Sequence, residues 1–157
     1  METIKIPKSK YDIVVEIICS ICIIGVPLLL IFSWGKIPND IPGHYNAAGQ
    51  IDRITNKSSL ITLYIVTLIM YIGMSLIERF PQIWNTGVKI TDENKIRIFR
   101  LIKNLLKSIK LLTIITFTYL IINTASAKPL PIWFTAFSLI ANFGVIIYYT
   151  YRIFKNK

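Results

Sequence analysis

The chain has 157 residues, 54% of them hydrophobic and 17% charged, and its 18 Lys and Arg against 8 Asp and Glu give a net charge of +10. Soluble domains usually carry about 25% charged residues, and here the apolar residues collect in four blocks near the length that crosses a bilayer, which excludes an ordinary soluble enzyme and a disordered chain. No RNA- or DNA-reading motif accompanies the basic excess, so that excess points to anionic lipid and to the flanks of membrane spans, not to nucleic acid.

The first block, residues 13–34, carries Glu16 as its only charge and follows Lys5, Lys8 and Lys10. It is too long for a signal peptide and lacks a small-residue cleavage site, so it reads as a retained span. The second block, 60–77, is closed by Glu78, Arg79 and Pro81. The third has a stretch of only 12 residues free of both charge and amide, Leu111 to Ile122. Extending it to 105–125 reaches spanning length by admitting Lys107 and Lys110, which share a helix face close enough to one end to snorkel to headgroups. The fourth, 131–154, opens with a proline suited to a first helical turn, and Trp133 with Tyr148, Tyr149 and Tyr151 fits the two interfacial aromatic belts.

With four spans and an inner N-terminus, 14 Lys and Arg lie inside and four outside (Lys36, Arg53, Lys57 and Lys128), which predicts both termini in the cytoplasm. Spans in lipid must satisfy their own backbone hydrogen bonds. The expected fold is all-α: one polytopic membrane domain over residues 1–157, a bundle of four transmembrane helices in the bacterial cytoplasmic membrane. The Ile-, Lys- and Asn-rich composition fits a bacterial chain of biased base content.

The inner connection, 78–104, contains a helix start in which Thr91 caps and Asp92 and Glu93 sit at the positive end; Asn94 is not the Glu or Gln of a full capping box. From there Ile98, Ile102, Leu105, Ile109 and Leu112 recur at helical spacing beside a basic stripe of Arg100, Lys103, Lys107 and Lys110. This predicts a basic amphipathic helix lying on the anionic inner leaflet with its stripe toward lipid, or docking a cytoplasmic protein, before it turns into the third span.

The outer connection, 35–58, is long for a link between adjacent helices, and such loops commonly carry function. Pro38 and Pro42 stiffen it, while Asn46 and Gly49 tolerate positive φ, which predicts a turn between them. His44, Asn46, Asp52 and Arg53 are the polar groups such a turn presents. His44, the only histidine, reads as a metal ligand, as a general base, or as a group that shapes the loop or touches a ligand. Only Asp40, Asp52 and amide oxygens accompany it, short of a metal set, and no nucleophile or oxyanion arrangement is recognisable. Neither a metal, a cofactor nor an enzymatic activity is expected.

Cys19 and Cys22 form a C-x-x-C inside the first span, where they read as small apolar residues. Glu16 is an intramembrane carboxylate, read either as functional or as reaching water or a nearby lysine. Asn123 and Asn142, with Thr113 and Thr116, read either as a polar path or as interhelical hydrogen bonds.

The pattern Ile37-Pro38-x-x-Ile41-Pro42-x-His44-Tyr45-Asn46-x-x-Gly49-x-x-Asp52, followed by Trp84-Asn85 and Lys89-Ile90-Thr91-x-x-Asn94, resembles the bacterial membrane family called domain of unknown function 1648. The resemblance covers about residues 30–110. It implies a relation to the SdpI-type immunity proteins, which protect their producer from a secreted antimicrobial peptide and are thought to hold a repressor at the membrane. It further implies ligand contacts at Pro38, Pro42, His44, Asn46, Gly49 and Asp52, and a cytoplasmic motif at Asn85, Lys89, Thr91 and Asn94. The chain departs from that pattern after Lys110, where the Asn…Gly-x-Arg signature of those proteins' further membrane half is missing.

The functional expectation is an immunity or sensing protein that recognises a secreted peptide or envelope ligand outside and a regulator inside. The alternatives are a small transporter or transport subunit using Glu16, Asn123 and Asn142, and, third, a metal-dependent membrane enzyme. A bundle of this size can also pair with itself, although no small-residue interface motif stands out.

Overall fold

Helix formation begins where the sequence first supplies a capping box: Asp12 N–H donates to Ser9 Oγ and Ser9 N–H donates back to Asp12 Oδ2. The computed structural model describes residues 6–157, so Lys5 lies outside the described residues. Helix α1 is Lys10–Ser33, α2 is Ser59–Ile77, α3 is Lys95–Ala125 and α4 is Ile132–Lys155. All four are long and apolar enough to cross a membrane, and the chain is a multi-pass helical membrane protein. Pro27 sits inside α1 without ending it; spanning helices tolerate proline because neighbouring groups re-satisfy the freed carbonyl.

Helix α3 is the axis of the bundle. At 31 residues it is about 46 Å long at the usual 1.5 Å rise, and it packs against α1, α2 and α4, while α1 and α2 touch each other only lightly. Three apolar clusters follow one another along it. Ile121 joins Val26, Leu30, Ile37, Ile41 and Leu60 at one end. Ile114 meets Val15 and Cys19 in the middle. At the other end Ile98, Leu101 and Ile102 pack on Ile153, with Trp84, Val88, Ile90 and Tyr149 around them. Most other large apolar side chains, such as Ile21, Phe32, Ile69 and Ile140, are exposed on the outer faces, as expected where lipid is the solvent.

The structure departs from the sequence expectation in three places. The outer connection is not an irregular loop but a hairpin, β1 (Asp40–Tyr45) antiparallel to β2 (Ile51–Asn56), with the register broken between Pro42 and Tyr45. Pro42 and Gly43 inside β1 mask the strand signal, since both residues are rare in strand interiors. The inner helix and the third span are one uninterrupted helix, so no separate segment lies along the leaflet.

The third departure is the basic stripe, which does not face lipid. Lys110 is fully buried and Lys107 6% exposed, and Arg100 and Lys103 are mostly covered. All four turn inward onto carboxylates of α1 and of the end of α2, because unpaired charge at this depth is far more costly than paired charge. Deleting one member of such a buried set leaves its partners uncompensated. Lys110→Ala is therefore expected to destabilise the bundle by about 3 kcal/mol or more, read as a lowered unfolding midpoint in detergent. An unchanged midpoint would show that the lysine is dispensable to the fold.

Candidate functional site

The hairpin is built to hold one turn rigidly. Asn46 Oδ1 accepts from the N–H groups of Ala48 and Gln50 at 3.0 and 2.9 Å. Asn46 N–H donates to the Gln50 carbonyl, and Gly49 N–H donates to the Asn46 carbonyl. Gly49 has φ +80°, open to glycine at little cost, and a Cβ there would run into the Leu130 carbonyl. The turn is also clamped from outside, because Leu130 N–H donates to the Gly49 carbonyl at 2.8 Å.

Tyr45 extends the clamp. Its hydroxyl lies 3.2 Å from Thr124 Oγ1, donates to the Lys128 carbonyl and accepts from Asn123 Nδ2. Asn123 Nδ2 also donates to the Lys128 carbonyl at 2.8 Å. At the hairpin base, Lys57 Nζ donates to the carbonyls of Trp34 and Ile37, satisfying backbone groups just beyond α1, and it stands 5.4 Å from the Trp34 ring centre. In the sequence Tyr45 figures only in the family pattern and Lys57 only among the outer cations, and neither anchoring role is visible. Their partners lie up to 83 residues away, a pairing that local pattern does not disclose.

On this frame His44 Nδ1 lies 2.7 Å from Asp52 Oδ1, with side chains 59% and 44% exposed. The hairpin brings together His44, Asn46, Gly49 and Asp52. Pro42 is buried in β1, and Pro38 lies in the bend before it. Asn46 and Gly49 build the turn, so the outward-facing chemistry is the His44–Asp52 pair with the exposed Arg53 opposite. Among the described residues no three of His, Cys, Asp and Glu could hold a metal together. A groove of about 580 Å³ runs beneath the hairpin, lined by Tyr45, Arg53, Ile54, Leu63 and Thr124 among others.

The motif of the other connection is structural in geometry. Asn85 Oδ1 accepts from Gly87 N–H, and Asn94 Nδ2 donates to the Lys89 carbonyl. Thr91 N–H donates to Asn94 Oδ1 while Asn94 N–H donates to Thr91 Oγ1. That is the reciprocal pattern of a capping box with asparagine in the role of glutamate, although the regular helix begins only at Lys95.

A second polar cluster lies at this end. Asp12 Oδ2 is 2.8 Å from Lys103 Nζ and 3.1 Å from an Arg100 guanidinium nitrogen. Glu16 Oε2 holds Lys107 and Lys110 at 2.8 and 2.9 Å, and its Oε1 accepts from the Tyr71 hydroxyl at 2.6 Å. Glu78 meets the same two lysines at 2.8 and 3.0 Å. Asn123 bonds the hairpin end and Asn142 bonds Ser138 of its own helix, so neither continues a polar path from Glu16. Cys19 and Cys22 are free thiols in the bundle wall.

Residues 21–70 match the domain of unknown function known as DUF1648. This stretch carries a DUF1648 domain. It takes in the later part of α1, the whole hairpin and most of α2, so the clamped turn and the His44–Asp52 pair belong to it. The Asn85–Asn94 motif and the cationic face of α3 lie beyond it. No curated protein and no solved structure matches the chain.

Asn46→Ala removes the acceptor for two backbone N–H groups, and Gly49→Ala adds a Cβ against Leu130. Each is expected to loosen the turn by about 1–2 kcal/mol, read as faster amide hydrogen exchange over residues 44–54 with unchanged exchange in α3. Equal protection in wild type and both variants would contradict the clamp.

Proposed function

We propose that the protein is an immunity or sensing component of the bacterial cytoplasmic membrane, with the hairpin outside, where it recognises a secreted antimicrobial peptide or another envelope ligand. The observation that carries this reading is the His44–Asp52 pair, held exposed at 2.7 Å on a hairpin fastened to α1, α3 and the α3–α4 connection. A rigid, polar platform suits recognition because little ordering entropy is lost on binding. The Lys and Arg bias supports the orientation: the four outer basic residues include two beside the hairpin, while 14 lie on the other flanks. The family resemblance supports the immunity reading, and the folded Asn85–Asn94 connection offers a regulator a preformed inner surface.

The transporter reading rests on Glu16 alone, since Asn123 and Asn142 are engaged elsewhere. Among the described residues His44 has only Asp52 for company, which gives the metal-dependent enzyme reading no support from a ligand set.

The test is survival of a susceptible bacterium exposed to a panel of secreted antimicrobial peptides, comparing empty vector, wild type and His44→Ala at equal membrane level. Wild type is expected to protect, and the variant to weaken protection about tenfold or more, the scale of one interface hot spot. Equal protection by both would remove the hairpin from recognition. Absence of protection by wild type across the panel would end the immunity reading.

A further inference from the structure

At the end opposite the hairpin, a cleft of about 1000 Å³ opens sideways between α1 and the end of α2, with α3 behind it. Its two halves differ in chemistry. Along α1, Ile13, Ile17, Ile21 and Ile24 form one apolar stripe, each 52–65% exposed, and a Cβ at Gly25 would meet nothing within 4 Å. At the polar end Lys8 and Arg79 are exposed, with Lys103 and Lys107 on the wall behind them.

We propose that this cleft is a specific site for one anionic phospholipid, its phosphate held by Lys8 and Arg79 and one acyl chain laid along the isoleucine stripe. Three observations point to that occupant. The first is charge. Asp12, Glu16 and Glu78 are engaged by Arg100, Lys103, Lys107 and Lys110, whereas Lys8 and Arg79 pair with no acid among the described residues. The cleft lining therefore holds four cations, Lys8, Arg79, Lys103 and Lys107, against three carboxylates, with Arg100 and Lys110 adding to the positive side from outside the lining, and surplus charge at the edge of a low-dielectric medium favours a bound anion.

The second is depth. Lys8 lies two residues before α1, and Arg79 lies just after the end of α2, the level of the headgroups. The third is shape, since a soluble anion has no use for an isoleucine wall. The site uses neither the hairpin nor its ligand, so it stands apart from the immunity reading.

The experiment measures the unfolding midpoint of the purified, delipidated full chain in neutral detergent. Phosphatidylglycerol, phosphatidylcholine of the same chain length, and inorganic phosphate are titrated in turn. Phosphatidylglycerol is expected to raise the midpoint in a saturable manner, with phosphatidylcholine and phosphate giving little change.

The Lys8→Gln/Arg79→Gln double variant, whose altered side chains pair with no acid among the described residues, is expected to keep its lipid-free midpoint and bind phosphatidylglycerol about tenfold more weakly. Ile21→Trp, which fills the groove, is expected to weaken binding with both cations present. Equal shifts from the two lipids would overturn the proposal. So would a phosphate effect matching that of phosphatidylglycerol, or full lipid response in the double variant. If the double variant does not fold, the wild-type lipid comparison and Ile21→Trp still decide the matter.

Discussion

Everything in this bundle depends on the cationic face of α3 being neutralised by carboxylates from other helices. Arg100, Lys103, Lys107 and Lys110 recur at steps of three, four and three residues, which places them on one side of the helix. In lipid such a face must reach water, reach headgroups or be paired. Here it is paired. Asp12 takes the first two cations, while Glu16 and Glu78 share the last two. The pairing docks both α1 and the end of α2 on α3, although α1 and α2 make little contact with each other. Apolar packing alone is a weak guide to register between spans, because lipid tails are as apolar as leucine. Charge pairing fixes which faces meet and at what depth.

The opposite end is held by hydrogen bonds to backbone. Tyr45, Asn123, Lys57 and the Gly49–Leu130 contact use carbonyls and N–H groups of connecting segments, so the hairpin becomes a continuation of the bundle. The two ends are joined by α3 itself. Asn123 and Thr124 touch the hairpin anchor at one end, and Lys110 and Lys107 the carboxylates further along. On the sensing function proposed above, a ligand pressing on the hairpin would bear on the same helix whose other end carries the ion pairs and the folded connection before Lys95. That shared element is the physical route available to a sensing protein.

The sequence disclosed the spans well, because hydropathy over some twenty residues is a strong signal: blocks at 13–34 and 60–77 became helices Lys10–Ser33 and Ser59–Ile77. The turn at Asn46–Gly49 was legible from residue chemistry alone; Thr91 does accept from Asn94 N–H, but it closes the turn before the helix, whose N-cap is Asn94. What was not legible was pairing between residues far apart. Glu16 is weighed in the sequence only against water or a nearby lysine and Asp12 goes unassigned, whereas their basic partners stand 88 to 94 residues away. A signal existed: three acids and four bases at one depth of the membrane ask to be matched. The strands were hidden by Pro42 and Gly43, and the anchoring roles of Tyr45 and Lys57 are visible only once the fold is assembled.

The most direct test of the account is a double-mutant cycle on Asp12 and Lys103, whose side chains meet at 2.8 Å. Asp12→Asn, Lys103→Met and the double variant are unfolded in detergent beside the wild type. If α1 is held to α3 by this contact, the double variant loses less than the sum of the single losses, with a coupling of about 1 kcal/mol or more. Losses that simply add, within about 0.5 kcal/mol, would contradict the claim that charge pairing docks these helices.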